Sequence, residues 1–263
     1  MTDANALILT ERRGAVGVLT INRPKTLNAL NTETLLVLEN ALTELERDDS
    51  VRVIVITGAG DKAFVAGGDI ADLNSRQGLA HYQEFAEVIH RVFRRFELCD
   101  KPTIGAINGW ALGGGTELLL TLDIRLVADE ARLGLPEITL GLFPGAGGTQ
   151  RIIRQMAPCK AKELMFTGDQ ITAAEAVALG LCNRAVPRAQ LMDETLKLAE
   201  RIAHKSPLTL KILKRTLRDG ADMPLAASLA HEQAMIGLVL DSADAHEGCS
   251  AFLDKRPATF TGK

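Results

Sequence analysis

Strand-like apolar runs alternate with helical patterns until about Gln190 and then stop, and this change of pattern most limits what the chain can fold into. Residues 7–10, Val16–Ile21 and 51–57 are β-rich and read as strands. Arg12-Arg13-Gly14-Ala15 makes a hairpin-like turn between the first two, and Asn22-Arg23-Pro24 ends the second. From Thr32 to Arg47, Leu35, Leu38, Leu42 and Leu45 recur at helical spacing. Thr32 is the expected N-cap, with Leu35 at the capping-box position. Further strands are expected at 103–108 and 124–128. Helices are expected near 82–97, 114–121, 146–155, 160–166 and 173–179. The alternation indicates an α/β core over residues 1–190. The remainder, 191–263, reads as successive helices broken by Ser206-Pro207, Gly220 with Pro224, and Pro257, a helical C-terminal subdomain. No internal repeat or low-complexity linker is visible.

Composition excludes several function classes. The chain has 263 residues, 46% hydrophobic and 24% charged, as in ordinary globular proteins. A net charge of −3 and an aromatic content of 4% offer nucleic acid neither general attraction nor stacking platforms. Cys99, Cys159, Cys182 and Cys249 match no zinc or redox spacing and are expected to be reduced thiols in a cytoplasmic protein. Met1-Thr2-Asp3-Ala4-Asn5 has no basic segment leading into an apolar run, so no signal peptide is expected. No apolar stretch approaches the ~20 residues that span a bilayer.

Two glutamates stand in settings that aim a carboxylate. Glu117 follows Gly113-Gly114-Gly115-Thr116, a glycine run opening onto an apolar helix start. Glycine costs about 1 kcal/mol relative to alanine inside a helix, so three together imply close approach of a strand or a ligand. A ligand oxygen held by the Gly114 N–H would then be near Glu117, one turn on. The plainer reading of Glu117 is a solvated acid in a first helical turn. Glu137 follows Leu135-Pro136, a rigid corner among apolar residues that would favour its protonated form, although an exposed loop acid is equally compatible. Paired acids suit proton transfer, one donating while the other accepts.

Other clusters carry less. Thr57-Gly58-Ala59-Gly60 follows a strand, but Ala63 stands at the third glycine position of a dinucleotide fingerprint and no helix opens there. No P-loop, HExxH or G-x-S-x-G occurs. Ala66-Gly67-Gly68-Asp69-Ile70 lets backbone approach a ligand, with Asp69 as a helix cap, or is a plain surface turn. Pro144-Gly145-Ala146-Gly147-Gly148-Thr149-Gln150 reads as a tight turn that shapes the fold. The five histidines have no identifiable partner and read as structural or surface residues.

The ordered set 22–30, 62–70, 101–118, 136–137, 141–151 and 247–256 resembles the enoyl-CoA hydratase/isomerase (crotonase) superfamily over nearly the whole chain. The resemblance implies an α/β fold, a crotonase-like spiral of ββα units, with a helical C-terminal part that packs homotrimers or homohexamers. It implies an acyl-CoA thioester substrate and no cofactor, CoA being part of the substrate, with no metal, nucleic acid or membrane. By position, Gly68 and Gly114 would supply the oxyanion-hole N–H groups, and Gly68 stands where the family often has alanine. Lys25, Leu27, Ala29, Ala66, Asp69 and Ile70 would line the CoA path, and Phe252 and Lys255 match tail positions that reach CoA. With both acids present, the match is to hydratases. Glu117 would help activate water and Glu137 would protonate C2. A double-bond isomerase, a dehydratase for a special substrate such as a carnitinyl-CoA, and a non-catalytic acyl-CoA-binding subunit are the alternatives. A nicotinamide oxidoreductase is the outsider.

Overall fold

In the computed structural model residues 6–263 are described, and the expectation for residues 1–5 lies outside them. β1 (Ile8–Arg13) and β2 (Val16–Ile21) form an antiparallel hairpin, with Ile8 opposite Ile21 and Arg13 opposite Val16. The first strand therefore runs beyond the expected 7–10, and the turn is the pair Gly14-Ala15. Gly14, at φ +60°, adopts the left-handed conformation that tight hairpin turns favour. The helix α1 (Thr32–Arg47) lies where the leucine spacing predicts it, with Leu35, Leu38, Leu42 and Leu45 buried. Its cap is Asn31 and not Thr32. Asn31 is extended, and its Oδ1 accepts from the Thr34 N–H at 2.9 Å, while Thr32 already lies in the first turn.

The chain then repeats a pattern of paired strands. β3 (Val53–Gly58) and β4 (Ala63–Val65) precede α2 (Ile70–Asn74) and α3 (Glu87–Leu98). The helix expected over 82–97 begins as a π-helical turn, His81–Ala86, that runs into α3. β5 (Thr103–Ile107) and β6 (Trp110–Leu112) precede α4 (Gly114–Leu119), and β7 (Ile124–Ala128) and β8 (Arg132–Gly134) follow. Next come α5 (Gly148–Gln155), α6 (Pro158–Thr167), β9 (Gln170–Thr172), α7 (Ala173–Ala178), β10 (Arg184–Val186) and α8 (Arg188–Ala203). The first strands of the pairs, β3, β5 and β7, join β1, β2 and β10 in one sheet, ordered β1-β2-β3-β5-β7-β10. The second strands join β9 in a smaller sheet, ordered β4-β6-β8-β9. This is the expected spiral of ββα units.

The large sheet is parallel apart from the β1–β2 pair. Every residue of β3 is buried, as a strand covered on both faces requires. α8 packs against β3, β5 and β7, and β4 lies against β3 and β5. α8 thus crosses the expected 190/191 boundary while packing on the sheet. The chain ends in α9 (Pro207–Gly220), α10 (Leu225–Leu240) and α11 (Ala243–Leu253). α10 is strongly apolar yet buries only Val239. Among the described residues no helix is long and apolar enough to cross a membrane.

Candidate active site

The glycine run that opens α4 is tight because other backbone crosses it. A Cβ on Gly115 would overlap the Val65 carbonyl of β4. Gly113 has φ +50° and donates its N–H to the Gly134 carbonyl at 2.9 Å, which seats the start of α4 beside β8. Gly114 faces the 67–68 loop: a Cβ there would stand 3.6 Å from the Gly68 nitrogen. Among the described residues neither the Gly68 nor the Gly114 N–H donates to a protein acceptor. Leu73 and Phe85 wall this spot, 3.3 and 3.7 Å from where a Gly68 Cβ would be. α4 ends at Leu119, two residues short of the expected span.

Glu117 is not a solvated acid; it is 3% exposed. Its Oε1 accepts from the Ala146 N–H at 2.7 Å and the Gly148 N–H at 2.8 Å. The glycine-rich 144–148 turn, read from sequence as a shaping element, is therefore the cradle of Glu117. This also explains why α5 begins at Gly148 and not at 146. The signal was present in the sequence as a glycine-dense helix start rich in free N–H groups. Burial pushes the Glu117 carboxyl up to about 7, against the Gly148 N–H; the nearby Glu137 raises it further, and the Ala146 N–H and Arg151 oppose.

Glu137 is carried by a 3-10 turn, Pro136–Leu140, with proline in its first turn. Its Oε1 would be 3.0 Å from a Cβ on Gly113, so glycine there gives the carboxyl room. Its Oε2 is buried without a hydrogen-bond partner. Burial raises this carboxyl too. An orphaned buried carboxyl oxygen is costly unless another molecule completes it.

The other expected positions divide. Leu27 sits at φ +54°, and its carbonyl accepts from the Ala66 N–H at 3.1 Å, so the 24–30 and 66–70 segments adjoin. Pro24, Leu27, Asn28 and Lys62 help line a cavity of about 170 Å³. Lys25 and Ile70 are exposed, and the Ala29 carbonyl accepts from Arg23. The Asp69 carboxylate is occupied: it caps α2 and pairs with Arg23 at 2.9 Å. Desolvation works against that carboxylate's charge, but the Arg23 bond and the Asp72 and Ala71 N–H groups leave it below its usual range. Phe252, 83% exposed, and Lys255 lie at the end of α11. A larger cavity, about 990 Å³, lies between α3, α5 and α9 and touches neither glutamate. Among the described residues no group of His, Cys, Asp and Glu could hold a metal ion.

Comparison with known proteins places the chain in a family. The family model described as enoyl-CoA hydratase/isomerase matches residues 11–263. The chain belongs to the enoyl-CoA hydratase/isomerase family. A family member from Syntrophomonas wolfei, the crotonyl-CoA hydratase, is 42% identical over 97% of this chain and 98% of its own. The short-chain-enoyl-CoA hydratase of Clostridium acetobutylicum is 40% identical over 95% of each. The crystal structure of an enoyl-CoA hydratase from Bacillus anthracis superposes with a TM-score of 0.95, at 36% identity, over 98% of this chain and all of that one.

Proposed function

We propose that this family member is an enoyl-CoA hydratase that reversibly adds water to a trans-2-enoyl-CoA, giving a 3-hydroxyacyl-CoA. The observation that carries the reading is one constellation: two buried carboxyls, Glu117 and Glu137, beside two unengaged backbone N–H groups, those of Gly68 and Gly114. The two N–H groups receive the thioester oxygen and stabilise the negative charge that grows there, which makes C3 electrophilic. Both cradle amides reach Oε1 of Glu117, leaving Oε2 for a water. Glu117 takes a proton as that water attacks C3, and Glu137 gives one to C2. Burial raises both carboxyls, and Glu117 is the more enclosed. The charge of Glu137 also raises Glu117, so the site is read as a coupled pair sharing one proton, whose acid and base labels belong to the pair.

Short-chain substrates such as crotonyl-CoA fit the names of the relatives. The 24–30 and 66–70 segments carry the CoA portion through backbone and Leu27. A cytoplasmic setting is consistent with four free cysteines. The helical region from 191 onward carries the assembly surface of a homotrimer or a dimer of trimers, supported by the exposed Leu225, Leu229, Leu238 and Leu240 of α10.

The test is the ultraviolet band of the conjugated enoyl thioester in crotonyl-CoA. Wild type should bleach it, and Glu117→Ala and Glu137→Ala should each slow the bleaching by roughly 10²–10⁴-fold. Full-rate bleaching by either variant would remove that acid from the mechanism. No bleaching by wild type, with longer and branched enoyl thioesters also untouched, would sink the hydratase reading.

A further inference from the structure

The loop that holds Glu117 is itself held, from its α3 side. Arg151, in the first turn of α5, folds back over it. Its Nη1 donates to the Ala146 carbonyl at 2.9 Å, and its Nε and Nη2 fork onto Glu97 of α3 at 2.6 and 2.9 Å. From the same face of α3, His90 Nε2 lies 2.7 Å from the Gly145 carbonyl. A carbonyl only accepts, so this nitrogen carries the proton.

The peptide geometry links these contacts to the glutamate. The Gly145 carbonyl and the Ala146 N–H belong to one planar trans unit and point in opposite directions. His90 grips one end of that unit and Glu117 Oε1 the other. The next peptide is fixed by Arg151 through the Ala146 carbonyl. The one after it presents the Gly148 N–H to Glu117, while its Gly147 carbonyl accepts from the Arg151 N–H at 3.0 Å. Gly147 sits at φ +97°, and a Cβ there would collide with the Arg151 guanidinium, so glycine is what lets the guanidinium cover the turn.

We propose that Arg151, anchored by Glu97 and assisted by His90, is a positioning residue for the reaction: it fixes the 145–148 turn so that its amides aim Glu117. The inference rests on the assignment of Glu117 to the chemistry. The Glu97–Arg151 fork is largely buried, at 28% and 15% side-chain exposure, and bidentate, which gives it geometric definition that a lysine cannot reproduce. The Arg151 charge also lowers the Glu117 carboxyl. The ionisable groups around Glu117 are Glu137 across the site, Arg151 and Glu97 behind the turn, and His90 on the Gly145 carbonyl.

The experiment measures kcat, KM and the pH profile of crotonyl-CoA hydration for Arg151→Met, Arg151→Lys, Glu97→Gln and Glu117→Ala, with thermal melting of each. Displacing a reacting group by about 1 Å can cost ~10²-fold, so Arg151→Met should lose roughly 10–100-fold in kcat with KM little changed. Its acid limb should move to higher pH, because a cation facing Glu117 is gone. Arg151→Lys should return the limb toward the wild-type position and recover part of kcat. Glu97→Gln should lower kcat without raising KM, and it carries the test if Arg151→Met does not fold. A folded Arg151→Met enzyme with wild-type kcat and an unmoved limb would overturn the proposal, as would a loss confined to KM. Glu117→Ala separates the two levels. If it keeps full activity, the Glu117 assignment itself fails. If it is inactive while the Arg151 and Glu97 variants match wild type, only the positioning role fails.

Discussion

Glu117 sits between opposing demands. Its burial disfavours the charge, and the Ala146 and Gly148 N–H groups favour it. The result is a carboxyl that holds its proton up to about 7 in the folded protein against about 4.5 when free. Raised in the fold, this group contributes fully at pH values below the unfolded value, and that contribution is lost as pH rises through the folded one. Glu117→Gln keeps the oxygen that the two amides reach and cannot ionise. The variant should therefore gain on wild type, in unfolding free energy, as pH goes from 5 to 8, by on the order of 1–3 kcal/mol. A difference between the two proteins that is the same at both pH values would contradict the raised carboxyl.

At the scale of elements, much was legible. Leucines at helical spacing located α1 to the residue, because one face of that helix is buried along its whole length. Its cap was misplaced by one position, since Asn31 and Thr32 are both good caps and only the extended backbone at Asn31 separates them. The three-residue strands β4, β6, β8 and β9 were not legible: runs that short have no period to read. The two glutamates and the glycines beside them were visible as local patterns. The cradle of Glu117 was not, because it joins residues 29 and 31 positions apart, and the Arg151–Glu97 fork joins residues 54 apart. Local spacing cannot report such contacts. The resemblance to a family supplied which clusters meet; the structure supplied how the turn, the carboxylate and α3 fit together.

At the scale of the whole molecule, the pairs β3/β4, β5/β6 and β7/β8 each send one strand to the large sheet and one to the small sheet, and the candidate site forms where β4, α4 and the turn before α5 converge. The same architecture leaves Leu225, Leu229, Leu238 and Leu240 of α10 exposed, together with Phe252 and Leu253. In the proposed assembly this apolar surface of the terminal helices packs against another chain. Sedimentation velocity should find a trimer or hexamer, and Leu229→Asp with Leu240→Asp should shift it toward monomer; a monomeric wild type at micromolar concentration would refute the assembly. The central claim, that Glu117 and Glu137 act on one water as a unit, is tested most directly by hydration rates of crotonyl-CoA with Glu117→Gln, Glu137→Gln and the double variant. Acting as a unit, the two leave the double variant no slower than the worse single one. If the two losses multiply instead, the carboxyls work independently and the shared-proton account is wrong.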